Sequence, residues 1–280
     1  MTEGLIIKGV SGQYTVLTSE GQITCNARGL FRKQKFTPLA GDIVQIKQGE
    51  AGTGTLMHIL PRKNEVKRPR VANVDVVVMF FSAKTPDISY TMLDRYLMQA
   101  EYEGIEAAVC INKIDLSRDI SKEAEEIYSG AGYPVFLVSA KCGFGLDKFA
   151  NFLKAKTSVL AGPSGSGKSS IINKLVNKDL PTGEISERIG RGKHTTRHTE
   201  FIPLDFKGYI IDTPGFSSLE PPDVPLTERA ALFREFREWL GECRFGDCLH
   251  KSESDCAIKE QVGITISKQR YNRYLEWLDM

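Results

Sequence analysis

Residues 162–169 read Gly162-Pro163-Ser164-Gly165-Ser166-Gly167-Lys168-Ser169 and match the pattern G-x-x-x-x-G-K-[ST] at every fixed position. An apolar segment, 158–161, precedes them and a segment with helical spacing, 168–176, follows, which is the context that supports a phosphate-binding loop. The glycines allow successive backbone N–H groups to face phosphate oxygens. Lys168 is expected to reach the β- and γ-phosphates and to act in catalysis, and the Ser169 hydroxyl is expected to hold Mg²⁺. The motif alone does not indicate whether the nucleotide is ATP or GTP, or whether the protein is a hydrolase or a kinase.

The segments around this loop alternate between strand and helix patterns from about residue 71 onwards. Val74–Phe80 is a nearly continuous apolar run, as expected for a strand buried on both faces. Alternating strands and helices predict a mostly parallel sheet with helices on both sides. The predicted strands are 74–80, 107–111, 134–138, 158–161 and 208–212, and the predicted helices are 93–101, 123–128, 146–153 and 168–176.

A second phosphate element, Asp212-Thr213-Pro214-Gly215, ends the strand 208–212. Asp212 is placed to hold Mg²⁺ through a water molecule, as a Walker-B aspartate does. The Gly215 N–H can approach the γ-phosphate because glycine has no side chain. The pattern D-x-x-G is weak alone, and its position downstream of a phosphate loop gives it meaning.

Two further motifs follow consecutive predicted strands and indicate guanine as the base. Asn112-Lys113-Ile114-Asp115 is an N-K-x-D sequence, and its aspartate can accept hydrogen bonds from guanine N1–H and the N2 amino group. Adenine would leave that carboxylate unpaired, so Asp115 favours GTP over ATP. Asn112 would support the surrounding loops and Lys113 would pack against the base. Ser139-Ala140-Lys141 fits the second guanine loop, in which the Ala140 N–H is expected to bond guanine O6.

The order of these motifs is unusual, because the guanine motifs at 112–141 precede the phosphate elements at 162–215. The motifs can still converge if the sheet is circularly permuted, since chain termini of a domain often lie close together. The segment after Asp212–Gly215 then leads directly into the C-terminal part of the chain. Nucleotide state is therefore expected to influence that part.

The first 65 or so residues read as five short strands separated by glycine turns, at 5–10, 14–17, 22–25, 42–46 and 54–60. Five short strands predict a small β-barrel resembling an OB-fold, a size class that often binds oligonucleotides. Residues 1–70 are net basic whereas the remainder is net acidic, which fits either a polyanionic partner or a solvated face. The stretch Arg28–Phe36 interleaves basic and aromatic residues, as an RNA-contacting loop would. Pro61–Arg70 is interpreted as a polar linker.

The C-terminal part combines a helical pattern with a cluster of metal-binding residues. Cys243-x4-Cys248-x-His250-x5-Cys256 offers three thiolates and one imidazole within 14 residues. Four such ligands suit a tetrahedral structural Zn²⁺ site with no open position. The stretch 267–279 is predicted to form an amphipathic helix with Lys268, Arg270 and Arg273 facing outward, where it would contact rRNA or cover the zinc domain.

Composition excludes several classes of protein. Of 280 residues, 41% are hydrophobic and 26% charged, which is ordinary for a globular protein. The sequence has no apolar run long enough for a membrane span, and its N-terminus lacks the features of a secretory signal. The protein is therefore expected in the cytoplasm, with no membrane partner and as a monomer.

The permuted order, the barrel before it and the Cys/His cluster after it closely resemble the RsgA (YjeQ/YloQ) family of circularly permuted GTPases. That family acts in small ribosomal subunit assembly, and the resemblance runs through nearly the whole chain. Its specific elements here are Ala72-Asn73-Val74-Asp75, Leu93-Asp94-Arg95-Tyr96-Leu97, Gly190-Arg191-Gly192-Lys193-His194-Thr195-Thr196 and the zinc pattern.

The resemblance implies that residues 184–198 form a mobile first switch in which Thr195 or, preferably, Thr196 completes Mg²⁺ coordination. A basic RNA-binding loop is the alternative for this arginine- and lysine-rich stretch. Phe216 stands where Ras-like proteins have a water-orienting glutamine. The resemblance makes His194 the candidate for that task, with a solvent-facing histidine as the alternative. Slow hydrolysis without a partner is expected.

The sequence predicts a multidomain protein with an OB-like RNA-binding barrel (1–66), a circularly permuted α/β P-loop GTPase core (67–219) and an α-helical zinc-binding domain (220–280). By resemblance it is a GTPase that binds the small ribosomal subunit and its 16S rRNA at a late step of maturation. A GTP-gated RNA-binding scaffold and a tRNA or translation GTPase are the alternatives. The predicted GTP- and Mg²⁺-binding residues are Asn112, Lys113, Asp115, Ser139, Ala140, Lys141, Gly162 to Ser170, Thr196, Asp212 and Gly215.

Overall fold

A computed structural model describes residues 1–27, 37–50, 52–67, 70–176, 200–204, 206–212 and 222–280, with only the backbone at Lys67, Glu200 and Asp212. The chain forms two compact units, and each is assembled from three separate segments. The first unit comprises Met1–Val76, Ala150–Leu160 and Ser169–Phe216, and the second comprises Val77–Phe149, Ala161–Lys168 and Ser217–Met280. Within the described residues, no helix combines the length and apolar composition that crossing a bilayer requires.

The strands are β1 Thr2–Val10, β2 Gln13–Thr18, β3 Gly21–Ala27, β4 Ile43–Gln48, β5 Thr53–Ile59, β6 Glu65–Lys67, β7 Arg70–Ala72, β8 Val76–Ser82, β9 Glu106–Asn112, β10 Val135–Leu137, β11 Thr157–Ala161, β12 Glu200–Pro203 and β13 Tyr209–Asp212. The α-helices are α1 Tyr90–Tyr102, α2 Arg118–Gly130, α3 Leu146–Leu153, α4 Lys168–Val176, α5 Ala257–Gln261 and α6 Lys268–Leu278. Two 3-10 helices span Leu226–Leu232 and Arg234–Trp239.

The N-terminal strands form the predicted barrel. β1 pairs with β2, β2 with β3, β3 with β5 in parallel, β5 with β4, and β4 with β1, which closes the ring. Because side chains alternate along a strand, every second residue faces the interior. That interior is apolar and contains Ile6, Val16, Cys25, Val44, Ile46 and Leu56. The prediction of a closed five-stranded barrel is confirmed.

The segment after the barrel is not a plain linker, contrary to the sequence interpretation. β6 and β7 pair antiparallel, from Glu65 opposite Ala72 to Lys67 opposite Arg70. The Arg62 guanidinium donates to both carboxylate oxygens of buried Asp42, at 2.7 and 2.9 Å. The ion pair between Arg62 and Asp42 attaches the segment to the barrel.

The first unit also contains strands of the α/β part. β11 runs parallel to β13, and β12 runs antiparallel to β13. β12 also pairs with β1 of the barrel, with Lys8 opposite Glu200. Phe201 of β12 is buried, and a Cβ placed on Gly41 in the barrel turn would lie 3.0 Å from its ring. The barrel and the strand β12 therefore belong to one packed structure.

The second unit holds a sheet in the order β10-β9-β8, with β10 parallel to β9. All seven residues of β8 are buried, as its continuous apolar sequence predicts. The C-terminal segment contributes an aromatic cluster to the same unit, which includes Phe233, Phe236, Tyr274 and Trp277 and which Met98 of α1 joins. The packing of Met98 against this cluster joins the C-terminal segment to α1 within the second unit.

One expectation for the C-terminal helix is wrong. α6 forms as predicted and Lys268 is exposed, but the Arg270 side chain is 1% exposed and the Arg273 side chain 12% exposed. Both guanidinium groups bind Asp94 of α1. Charge alone suggested an outward face, whereas buried carboxylates on other elements draw these arginines inward.

Candidate functional site

The phosphate loop follows β11 and opens α4, as the sequence predicts. The Lys168 ammonium donates to the carbonyl oxygens of Gly162 and Pro163, at 2.7 and 2.9 Å. A Cβ on Gly162, whose φ is +150°, would lie 2.0 Å from the Phe80 carbonyl oxygen. The glycine therefore permits the loop backbone to approach β8 closely.

Asn112 connects the phosphate loop to both guanine loops. Its side-chain amide donates to the Ser166 carbonyl oxygen at 3.0 Å, and its Oδ1 accepts from the Ala140 N–H at 3.1 Å. Asn112 is 1% exposed, the bond to Ser166 is buried, and the bond from Ala140 is partly buried. The Ala140 N–H, which the sequence analysis assigned to guanine O6, donates to Asn112 here, and its bond to O6 stays a prediction.

Lys113 makes a second connection across the same loops. Its ammonium donates to the carbonyl oxygens of Gly165, at 2.7 Å, and of Thr85. Lys113 has a φ of +60°, an uncommon conformation for a residue other than glycine. The loop after β8 supports this arrangement, because the Ser82 hydroxyl donates to the Pro86 carbonyl oxygen at 2.7 Å. Sequence reasoning missed this loop, since nothing in its residue pattern marks it as part of a nucleotide site.

Asp115 is exposed at the end of the first guanine loop, and one hydrogen bond from the second guanine loop holds its carboxylate. The Ser139 hydroxyl donates to its Oδ1 at 2.6 Å, and this bond holds the pKa of the Asp115 carboxyl below its usual value. The carboxylate is therefore ionised at neutral pH and can accept hydrogen bonds. Lys141 is exposed on the second loop. Asn112, Lys113, Asp115, Ser139, Ala140, Lys141 and Gly162–Lys168 all lie in the second unit.

Other predicted residues are outside this group. Ser169 and Ser170 lie in the first turn of α4, and Asp212 ends β13; all three belong to the first unit. Outside the described residues lie the first-switch segment with His194 and Thr196, the residues Gly215 and Phe216, and the basic loop Arg28–Phe36. The predicted Mg²⁺ set Ser169, Thr196 and Asp212 and the catalytic assignment of His194 therefore remain predictions.

A second candidate site lies in the C-terminal segment, where the structure brings together Cys243, Cys248, His250 and Cys256. Their ligand atoms lie within 4.8 Å of one another. The Cys243 and Cys256 sulfurs are 3.8 Å apart, and His250 Nδ1 is 3.5 and 3.4 Å from them. A tetrahedral ion with Zn–S bonds of about 2.3 Å has S–S edges of about 3.8 Å, and S–N edges of about 3.5 Å. Cys243, His250 and Cys256 therefore match three corners of such a tetrahedron, and Cys248, within 4.8 Å of each, is near enough to supply the fourth ligand of a closed site.

Burial changes the protonation of the ligands in this cluster. Burial raises the pKa of the Cys248 thiol to about 12, and burial lowers the pKa of the His250 imidazole. Neutral imidazole is the form that binds metals, and crowded buried thiols become thiolates when a cation compensates their charge. Three sulfurs and one nitrogen are the ligand set of structural zinc sites.

The loop between the ligands is held from outside the cluster. The Glu253 carboxylate accepts N–H bonds from Leu249, Lys251 and Ser252, at 2.8 to 2.9 Å. Two tyrosine hydroxyls of α6 donate to backbone carbonyls of the same loop: Tyr271 to His250 at 2.7 Å and Tyr274 to Leu249 at 2.8 Å. These supporting residues were not foreseen, because the ligand motif carries no signal for them.

Comparison with known proteins agrees with these observations over the full chain. The RsgA GTPase family pattern matches residues 59–222, and the RsgA N-terminal domain pattern matches residues 3–56. A relative from Caldanaerobacter subterraneus subsp. tengcongensis, called small ribosomal subunit biogenesis GTPase RsgA, is 47% identical over 99% of this chain and 94% of its own length. A relative of the same name from Clostridium beijerinckii is 43% identical, covering 99% and 96% of the two chains.

Two solved structures also match the fold. YjeQ from Thermotoga maritima superposes with a TM-score of 0.85 at 37% identity, over 99% of this chain and 97% of its own. YloQ, described as a circularly permuted GTPase, superposes with a TM-score of 0.82 at 37% identity, over 100% of this chain and 94% of its own. Permutation explains how guanine motifs that come first in sequence share a unit with the phosphate loop.

Proposed function

The chain belongs to the RsgA family of GTPases and hydrolyses GTP, and from this premise we propose that it acts in a late step of small ribosomal subunit assembly. The relatives that cover almost all of the chain bear the name small ribosomal subunit biogenesis GTPase. The observation that carries the guanine-nucleotide part is Asn112, whose single side chain bonds the phosphate loop and the second guanine loop. A GTP-driven cycle of binding to and release from the subunit and its 16S rRNA follows from the proposal.

In this proposal, Asp115 selects GTP and GDP by accepting hydrogen bonds from the guanine N1–H and N2 groups. Lys168 and the backbone of Gly162–Gly167 hold the phosphates. Ser169, Thr196 and, through water, Asp212 hold the Mg²⁺ that accompanies GTP and supplies charge neutralisation at the phosphates. Gly215 approaches the γ-phosphate, and Ser170 belongs to the same site.

The proposal makes hydrolysis dependent on a partner. Phe216 follows Gly215 directly and has no group that can orient water, and His194 is the candidate that takes this role. We expect His194→Ala to lower subunit-stimulated GTP turnover by roughly 100-fold while GTP affinity stays within about twofold, because general-base or water-orienting groups contribute on that scale. Stimulated turnover is measured by phosphate release, with His198→Ala from the same basic stretch as the matched control. Full stimulated turnover in His194→Ala protein would remove His194 from the mechanism.

The remaining parts of the proposal concern the flanking regions. One structural Zn²⁺ is held by Cys243, Cys248, His250 and Cys256, and the barrel contacts rRNA mainly through phosphates. Binding to the subunit therefore weakens steeply as salt concentration rises. The protein works as a monomer in the cytoplasm, where subunits are assembled.

GTP turnover with and without purified small subunits tests the proposal against its alternatives. We expect the small subunit to stimulate turnover strongly, whereas tRNA and large subunits do not. Stimulation by tRNA or by complete ribosomes alone would favour a translation or tRNA GTPase. GTP-dependent subunit binding with unchanged turnover would favour a GTP-gated RNA-binding scaffold. That alternative is specific to this chain because Phe216 cannot orient the attacking water. Absence of any response to the small subunit would contradict the assembly role.

A further inference from the structure

Helix α6 contacts the loop of the candidate metal site directly. The Tyr271 and Tyr274 hydroxyls donate to the carbonyl oxygens of His250 and Leu249, and the Tyr274 side chain is fully buried. His250 has a φ of +57°, so the loop backbone takes a conformation that ordinary residues adopt only when their surroundings hold it. The position of α6 and the conformation of the ligand loop therefore depend on each other.

The same helix is tied to α1 by buried charges. Arg270 donates to Asp94 at 2.5 Å and to Glu235 at 3.0 Å, and Arg273 donates to Asp94. The side chains of Arg270, Asp94 and Glu235 are 1%, 3% and 4% exposed. Burial alone would lower the pKa of Arg270, but Asp94 and Glu235 raise it, so the guanidinium stays charged. Removal of one partner would leave an uncompensated buried charge, which makes this junction stiff.

A second ion-pair group ties the C-terminal segment to α1. Glu101, whose side chain is 5% exposed, binds Arg234 and Arg237 at 2.7 Å each. Arg234 also donates to the Gly132 carbonyl oxygen at 3.0 Å, just beyond the end of α2. The C-terminal segment is thus attached near both ends of α1, at Asp94 and at Glu101.

Asp94 continues the connection to α2. The buried Tyr128 hydroxyl donates to Asp94 Oδ1 at 2.8 Å, and burial raises the pKa of Tyr128, so this hydroxyl keeps its proton. Tyr128 lies on α2, which begins at Arg118, directly after the guanine loop that carries Asp115. An uninterrupted series of bonds and helices therefore runs from the ligand loop through α6, Asp94 and α2 to that guanine loop.

We propose that the metal site and the guanine loops are energetically coupled through α6, so that metal binding strengthens guanine-nucleotide binding and nucleotide strengthens metal binding. This inference rests on the proposed zinc site. The coupling is reciprocal by thermodynamic necessity, because each ligand stabilises the same arrangement of α1, α2 and α6. Typical couplings between protein sites change affinity about 5- to 150-fold, and we expect a value at the lower end of that range.

The test uses the full-length protein, either zinc-loaded or stripped by a chelator, with metal content measured in each sample. The dissociation constant of a fluorescent GDP analogue is measured in both forms, and the dissociation constant of zinc is measured by competition with a chromogenic chelator, with and without GDP. We expect about fivefold weaker GDP binding after stripping and an equal strengthening of zinc binding by GDP. Amide exchange should also quicken in α1 and α2 when zinc is removed. Equal GDP affinity and unchanged exchange in the two forms would overturn the coupling.

Variants locate the coupling in α6. The double variant Tyr271→Phe, Tyr274→Phe removes only two hydroxyls, so we expect it to bind both zinc and GDP. The ratio of its GDP affinities in the zinc-loaded and stripped forms should fall towards one. Tyr102→Phe, at an exposed tyrosine of α1, is the matched control and should keep the full ratio. Arg270→Met removes the ion pairs that Arg270 makes from α6 and is the more disruptive variant. If the Arg270→Met protein does not fold, the double tyrosine variant still decides the test. An undiminished ratio in the tyrosine pair would assign the coupling elsewhere and contradict the role of α6.

Failure of this inference is distinguishable from failure of the proposed zinc site. If the protein is purified with one zinc per chain but has identical GDP affinity before and after stripping, the zinc site is supported and the coupling is contradicted. If the protein holds no zinc in any preparation, both proposals are contradicted.

Discussion

At the scale of single residues, Asn112 makes the connection on which the nucleotide site depends. Its amide joins Ser166 of the phosphate loop, and its carbonyl oxygen joins Ala140 of the second guanine loop. Gly167 must be glycine beside it, since a Cβ there would lie 2.2 Å from the Asn112 amide nitrogen. The base-reading and phosphate-binding loops therefore hold one another in place within the second unit.

Asn112→Ala is expected to weaken both GTP and GDP binding by roughly 10- to 100-fold, since it removes one buried and one partly buried hydrogen bond worth about 1 kcal/mol each and leaves their partners unpaired. Titration with fluorescent guanine nucleotides measures the change. Asn151→Ala is the matched control, because Asn151 is exposed on α3 and lies away from these loops in sequence. Nucleotide affinity within twofold of the unaltered protein would mean that other contacts hold the loops.

Motif residues were the part of the site that the sequence could predict. Asp115, Ser139 and the phosphate loop follow patterns in which each residue type has one chemical task, so their positions could be found without a structure. Arg270 could not be placed in this way, because a cation on an amphipathic helix is normally exposed and only the fold reveals Asp94 and Glu235 as its partners. The supporting tyrosines of the metal loop were missed for the same reason.

At the scale of elements, local pattern predicted those segments that carry their own signal. α3 and α4 were predicted at their observed limits, and the five barrel strands were found within a few residues, because apolar periodicity and glycine turns mark them. β12 was missed, since four residues that end in Pro203 have no recognisable strand pattern. Its strand conformation comes from pairing with β13 and β1, which are distant in sequence.

The phosphate loop gives a sharp test of close backbone packing. Gly162→Ala is expected to abolish nucleotide binding, because its Cβ would lie 2.0 Å from the Phe80 carbonyl oxygen and the loop would have to move. Gly130→Ala is the control, since nothing lies within 4 Å of a Cβ at that helical position. Alanine there should be neutral or stabilising by up to about 1 kcal/mol. GDP affinity and melting temperature are the readouts, and native affinity in Gly162→Ala protein would contradict the packing argument.

At the scale of the whole molecule, the two compact units cut across the order of the sequence. The domain limits that the sequence analysis placed at 66/67 and 219/220 separate regions of different fold type, and they stay a prediction. Contacts within the structure group residues 217–280 with residues 77–149. Local periodicity could not reveal this grouping, because it arises from packing between segments that are far apart in the chain. Met98 of α1 and the aromatic cluster of the C-terminal segment share one core.

A protein that ends at residue 219 is therefore expected to be unstable and to aggregate. Its second unit would expose Met98 and would leave the buried Asp94 and Glu101 without their arginine partners, and loss of one member of such a pair alone costs about 3–5 kcal/mol. Size-exclusion chromatography, circular dichroism and GDP titration measure the outcome. A chain that ends at Leu278 is the control, since it loses only exposed side-chain contacts of Asp279 and Met280 and their backbone bonds to the last turn of α6. A monomeric 1–219 protein with native GDP affinity would show that the core with the guanine loops folds alone.

The pairing of Asp94 with Arg270 also has a consequence for the time at which the protein becomes complete during its own synthesis. The two residues are 176 positions apart, so Arg270 is synthesised long after Asp94. The barrel strands β1 to β5 can close early because they are adjacent in the chain, whereas Asp94 of α1 lacks its two arginine partners until α6 has been synthesised. A chain stalled before α6 would thus have a folded barrel, while the second unit with the guanine loops would still be incompletely folded. Such intermediates are the kind that chaperones retain.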